Sequence, residues 1–113
     1  MDLGKHYTAL SVKDIAASKV FYENLGFQAV PDVGGVEHKW LILRNGDIQL
    51  GLYQDMFPNN TLTFNPPDAR GIQKELKSKG IQPKMEADEN TTGPCFLILQ
   101  DPDGNAILID QHS

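Results

Sequence analysis

Residues Tyr7 to Phe27 read YTALSVKDIAASKVFYENLGF, and this stretch decides the fold. Its first six residues alternate: Thr8, Leu10 and Val12 point one way and Tyr7, Ala9 and Ser11 the other, which is the period of a β-strand. Asp14 stands where a helix N-cap belongs, its carboxylate placed to accept from the first free backbone N–H groups. Ala17, Phe21 and Leu25 follow at helical spacing, with Ile15, Ser18 and Tyr22 beside them, so Phe21 and Leu25 are expected in the buried stripe. Gly26 then stops the helix as a left-handed residue just past its end. The stretch is a strand, a capped helix and a glycine stop.

The same pattern returns 54 residues later. Leu62-Thr63-Phe64 opens it, Asp68 is the second cap, Ala69, Ile72 and Leu76 form the helical stripe, and Gly80 closes it. After each helix comes β-type sequence. The first half offers Gln28-Ala29-Val30, a loop around Gly34-Gly35, and Trp40-Leu41-Ile42-Leu43. Asn45-Gly46 then signals a type I′ hairpin into the strand Ile48 to Tyr53. The second half offers Gln82 to Met85, a loop around Asn90 to Gly93, and Phe96-Leu97-Ile98-Leu99. There Asp101-Pro102-Asp103-Gly104 turns the chain into Ala106-Ile107-Leu108-Ile109. Met56 to Asn60 is the short linker between the halves. The expected architecture is α+β, with two βαβββ modules, about 1–56 and 60–113, in one domain spanning 1–113. Neither module can cover its own sheet, so the two are expected to pack as a curved mixed sheet around a cleft.

Composition narrows the function. Ten basic residues against fifteen acidic ones leave a formal charge of −5, the wrong sign for a nucleic-acid-binding face. No apolar run is long enough to span a membrane, and no signal-peptide pattern opens the chain. Cys95 is the single cysteine, so a disulfide within the chain is excluded and a cytoplasmic location is expected. No Ser-His-Asp set, Walker loop or dinucleotide fingerprint is present.

Three motifs carry a resemblance: Leu10-Ser11-Val12-Lys13-Asp14, Phe21-Tyr22-Glu23-Asn24-Leu25-Gly26-Phe27 and Asp101-Pro102-Asp103-Gly104-Asn105. In this order, and with the internal repeat, the chain resembles the vicinal oxygen chelate superfamily, which includes glyoxalase I, extradiol dioxygenases, and the fosfomycin- and bleomycin-resistance proteins. The motifs are scaffold and say nothing of chemistry. In metal-dependent members, four ligands, usually His and Glu, come from the first and last strands of both modules and leave positions open for a substrate's adjacent oxygens. Carried over by position, they fall on Tyr7, on Gly51 (or Leu50 with a one-residue shift), on Thr61 and on Leu108. None of these bears a usual ligand side chain. His6 adjoins Tyr7, but a one-residue slip turns a side chain to the opposite face of its strand. No metal and no cofactor are expected.

The residues expected to line the cleft are Tyr7, Trp40, Gln49, Gly51, Tyr53, Thr61, Thr63 and Leu108. They read as aromatic walls with a few hydroxyl and amide groups to orient a small molecule. Tyr7 and Tyr53 read equally well as filling a closed cleft or packing at a subunit contact, and Trp40 as core or interface. Tyr22 and Cys95 are read as structural. The acidic run Glu86, Asp88 and Glu89 reads as a solvated face or as an attraction for a cationic ligand. The first expectation is a metal-independent binder of a small organic molecule, cationic or aromatic, of the bleomycin-resistance type, with no catalytic residue. The alternatives are a metal-dependent enzyme of glyoxalase or dioxygenase type, and a regulatory or structural subunit with a closed cleft. The resemblance further implies a homodimer.

Overall fold

A computed structural model describes all residues, Met1 to Ser113. Seven strands and two α-helices run in the order β1 (Lys5–Val12), α1 (Ile15–Glu23), β2 (Gln28–Gly35), β3 (Trp40–Asn45), β4 (Ile48–Gln54), β5 (Thr61–Asn65), α2 (Ala69–Ser78), β6 (Cys95–Gln100) and β7 (Ala106–Gln111). The fold is α+β, and neither helix is long and apolar enough to cross a membrane. Contacts divide the chain into a unit of Tyr7–Thr61 and a unit of Met1–His6 with Leu62–Ser113.

In the Tyr7–Thr61 unit the strands lie in the order β2-β3-β4-β1. β1 and β4 are parallel, with Ala9 beside Gly51, while β2, β3 and β4 are antiparallel neighbours. Alternation sends Leu41, Leu43 and Leu52 to one face, where they bury with Ile15 and Phe27; Leu10, Val12, Tyr22 and Leu50 pack around them. The helix covers that face with Ile15 and Tyr22, and not with the stripe expected from its spacing. Phe21 and Leu25 are 61% and 58% exposed. Both sides of α1 are apolar enough to look like a core face, and aromatic contact decides between them. Tyr22 meets the buried Phe27 edge to face at 5.9 Å, and Leu25 lies beyond the helix end at Glu23. The hairpin also differs from the expected turn. Asn45 pairs with Ile48, so the central residues are Gly46 and Asp47, and only Gly46 has positive φ, at 58°. That is the pattern of a II′ turn, in which glycine occupies the first central position.

The other unit has the strand order β5-β7-β6. Ala69 and Ile72 bury against Leu97 and Ile109, and Leu76 packs beside them, as the helical spacing predicts. The strand expected at Gln82 to Met85 is reduced to a single bridge between Met85 and Ile98. Pro83 has no N–H to give to a ladder, and the Ile98 carbonyl accepts from both Lys84 and Met85.

The two helices start and stop alike. Asp14 accepts from the Ala17 N–H at 3.2 Å and Asp68 from the Gly71 N–H at 3.0 Å. Each first helical N–H is taken by a glutamine at the end of a strand: Ile15 donates to Gln54 Oε1 at 2.9 Å, and Ala69 to Gln111 Oε1 at 2.8 Å. At the far ends Phe27 N–H reaches Tyr22 O and Gly26 N–H reaches Glu23 O, just as Ile81 reaches Leu76 and Gly80 reaches Lys77. With Gly26 at φ 96° and Gly80 at φ 82°, both are Schellman stops.

The acidic run is held by α2. Lys77 pairs with Glu86 and with Glu89, the latter at 3.2 Å, and Gln73 donates to Glu89 at 2.7 Å. The Glu86 hydrogen bond raises the Lys77 pKa, and the Gln73 bond, followed by Lys77, lowers that of Glu89. Arg70 clasps the same loop through Asp88 O, Gly93 O and Thr91 Oγ1 at 2.7–2.9 Å. The run is therefore tied up in bonds within the chain.

The Asp101 turn gives a prediction for acid. Its carboxylate accepts from the Asn105 side chain and from the Asn105 and Asp103 N–H groups, all at 2.8–2.9 Å, and these bonds lower its pKa. A lowered carboxylate pKa stabilises the fold above the unfolded value and loses that stabilisation as pH falls through the folded value. The loss from Asp101, and likewise from Glu89, therefore lies below about pH 4. The melting-temperature gap between the native chain and Asp101→Asn is expected to be widest near neutrality and to close toward pH 2. A gap that stays constant with pH would contradict this.

Candidate functional site

Opposite the face covered by α1, the Tyr7–Thr61 unit carries an aromatic cluster. Tyr7, Ala9 and Ile42 are buried there, and Val30, Trp40 and Tyr53 pack against them. Register explains the gathering, since Trp40 is directly across from Tyr53, Ile42 across from Gly51, and Gly51 beside Ala9. The Trp40 and Tyr53 rings stack with centroids 6.2 Å apart and planes 7° from parallel. The Tyr53 and Tyr7 hydroxyls meet at 3.0 Å. Phe57 closes on Tyr53 edge to face at 5.2 Å. Its segment is pinned by Ser11, which donates from Oγ to Phe57 O at 2.7 Å and from its N–H to Asn60 Oδ1 at 3.0 Å.

Gly51 is the centre of this arrangement. A Cβ there would lie 2.6 Å from Tyr53 Cε2 and 2.9 Å from Tyr7 Cε2. Real Cβ atoms do not approach so closely, so the two rings occupy the space that a side chain at 51 would need.

Of the residues expected to line a cleft, Tyr7, Trp40, Gly51 and Tyr53 come together. Gln49 shares their face one step along β4, where it accepts from Arg44 Nη2 at 3.2 Å. Thr61 is buried at the start of β5 and donates to Asn59 O at 3.2 Å. Thr63 and Leu108 lie in the other unit, both buried. Thr63 Oγ1 has no hydrogen-bond partner there, while the Thr63 carbonyl meets His6 Nδ1 at 3.0 Å. His6 lies against Phe64 with ring centroids 4.9 Å apart, and Phe64 belongs to the core beneath α2. Sequence reasoning missed Ile42, Arg44 and Phe57. Alternation from Trp40 along β3 could have found the first two; nothing local marks Phe57.

These observations bear on whether a metal fits. The four positions carried over offer a phenol already bonded to Tyr53, a glycine roofed by aromatic rings, a hydroxyl turned to its own backbone, and an isobutyl group. No three His, Cys, Asp or Glu side chains gather in a way that could hold a metal ion. Transition metals of this family's kind want imidazole or carboxylate donors, and this set does not fit one.

The family model for the glyoxalase/bleomycin resistance protein/dioxygenase superfamily matches residues 4–109. The chain belongs to that superfamily. Solved structures of the same fold include a superfamily member from Vibrio splendidus 12B01, 16% identical, at a TM-score of 0.69 over 95% of this chain and 97% of that one. A protein from Legionella pneumophila described as an NAD-dependent benzaldehyde dehydrogenase is 18% identical, with a TM-score of 0.78 over 96% and 100%. A methylmalonyl-CoA epimerase from Mycobacterium tuberculosis is 15% identical, at 0.70 over 99% and 88%. At these identities the likeness is one of fold. No curated protein matches the chain. The superfamily's scaffold motifs are thus kept in a chain whose four carried-over positions hold a tyrosine, a glycine, a threonine and a leucine.

Proposed function

We propose that this superfamily member binds a small organic molecule without a metal, using the aromatic face of the Tyr7–Thr61 unit. The observation that carries the reading is Gly51 beneath the Tyr7 and Tyr53 rings: at the position where relatives would place a metal ligand, two phenols close over a glycine and join through their hydroxyls. Trp40 and Tyr53 offer π-faces, and the Gln49 amide offers hydrogen bonds that orient a planar guest. A homodimer in the cytoplasm accompanies this reading, and native mass tests the dimer.

A second reading, a closed scaffold that binds nothing, is favoured by the 6% exposure of Tyr7. Trp40 separates the two. It is the single tryptophan and stacks on Tyr53, so its fluorescence reports a guest at this face. Titration with planar aromatic compounds is expected to give a saturable change, and Tyr53→Ala is expected to weaken binding roughly tenfold. A flat titration across the panel supports the closed scaffold.

A further inference from the structure

The hairpin side of the same unit holds a cleft of about 250 Å³ lined by Gln28, Ala29, Val30, Pro31, Arg44 and Gly46. Val30 also packs into the aromatic cluster, so the cleft adjoins the face carrying Trp40 and Tyr53. Register places Gln28 across from Arg44 and Arg44 across from Gln49, with Arg44 two and four residues along β3 from Ile42 and Trp40. Arg44 therefore stands on the aromatic face, at its end.

The chain has two arginines, and they are used differently. Arg70 engages three oxygens of the loop after α2. Arg44 makes one side-chain bond, from Nη2 to Gln49 Oε1, and no ion pair, although acidic residues outnumber basic ones. No carboxylate lines its cleft, only an amide, a guanidinium and apolar groups. A guanidinium anchored by one nitrogen keeps other N–H groups in a planar fork, the geometry that grips a carboxylate with two parallel bonds. The acidic run that could have drawn a cationic guest is meanwhile paired with α2.

We propose that this cleft is a carboxylate subsite, in which Arg44, steadied by Gln49, holds the anionic end of an aryl carboxylate whose ring lies toward Val30 and the aromatic cluster. This rests on the binding function proposed above and reverses the charge expected of the ligand from the chain's net charge. The size of the cleft suits a fragment of that kind more than a large guest.

The test is a titration of ¹⁵N-labelled protein with benzoate, benzamide, benzylamine and inorganic phosphate at constant ionic strength. It follows the Arg44 and Arg70 Nε–H signals together with Trp40 fluorescence. Benzoate is expected to shift Arg44 and leave Arg70 in place, and to bind roughly tenfold more tightly than benzamide. Arg44→Gln, which keeps a partner for Gln49 on an exposed side chain, is expected to erase that preference. Equal binding of benzoate and benzamide, or a preference for benzylamine, overturns the carboxylate subsite and leaves the aromatic site standing. Phosphate competing as well as benzoate overturns the assignment to carboxylates. No response to any aromatic probe overturns both proposals.

Discussion

Gly51→Val is expected to destabilise the protein by about 3 kcal/mol, the upper part of the range for overfilling a packed site. The sign is diagnostic. Valine in a strand interior is ordinarily favoured over glycine, which loses more backbone freedom on folding and packs nothing. Here the added Cβ would meet ring carbons of Tyr53 at 2.6 Å and Tyr7 at 2.9 Å, so one ring must leave and the 3.0 Å hydroxyl contact between them breaks. Tyr53 is the less buried of the two and so the ring expected to give way. The cost should therefore shrink when Gly51→Val is made in a Tyr53→Ala background, a coupling that a double-mutant cycle reads directly. Urea denaturation of the four proteins measures it. A single mutant as stable as the native chain would show that the rings do not fill the space over Gly51.

Gln73→Leu is expected to cost a similar amount, roughly 2–4 kcal/mol, for a different reason. The Gln73 side chain is fully buried and answers both backbone groups of Ala87: Nε2 donates to its carbonyl at 3.0 Å, and Oε1 accepts from its N–H at 2.8 Å. Leucine fills the volume but leaves those groups, on a residue that is itself buried, without partners. A buried polar group stripped of its partner costs about 1–3 kcal/mol, and here there are two. The Ala87 amide should also exchange much faster in Gln73→Leu than in the native chain. The exposed Lys77–Glu86 and Lys77–Glu89 pairs act on the same loop, but surface ion pairs are weak, so Lys77→Ala should cost far less than Gln73→Leu. Comparable losses in the two variants would contradict the assignment of the loop's anchorage to Gln73.

Where short-range chemistry decides structure, it is legible in the chain. Asp14 and Asp68 cap because a carboxylate three residues ahead of a free N–H has little choice, and Gly26 and Gly80 stop their helices because only glycine enters the left-handed region freely. The failures share another cause. The buried side of α1 depends on Phe27, which follows the helix, and the strand expected near Met85 shrinks to a bridge where Lys84 and Met85 both donate to the Ile98 carbonyl. Gln54 and Gln111 cap the helices from strands about forty residues away in sequence, and no local pattern announces them. The site follows the same rule. Tyr7, Trp40, Gly51 and Tyr53 are reached by alternation along strands already recognised. The same alternation carried on from Trp40 reaches Ile42 and Arg44, whereas Phe57 needed the bonds that Ser11 makes to its segment.

At the positions where relatives would carry metal ligands this chain has Tyr7, Gly51, Thr61 and Leu108, with the Tyr7 and Tyr53 rings closed over Gly51. The most direct measurement is elemental analysis of protein purified without a chelator, run beside the Trp40 titration before and after treatment with EDTA. Metal far below one equivalent per chain and the same binding curve in both samples are expected. Near-stoichiometric zinc, nickel, iron or manganese, with binding that disappears on chelation, would contradict metal-free binding.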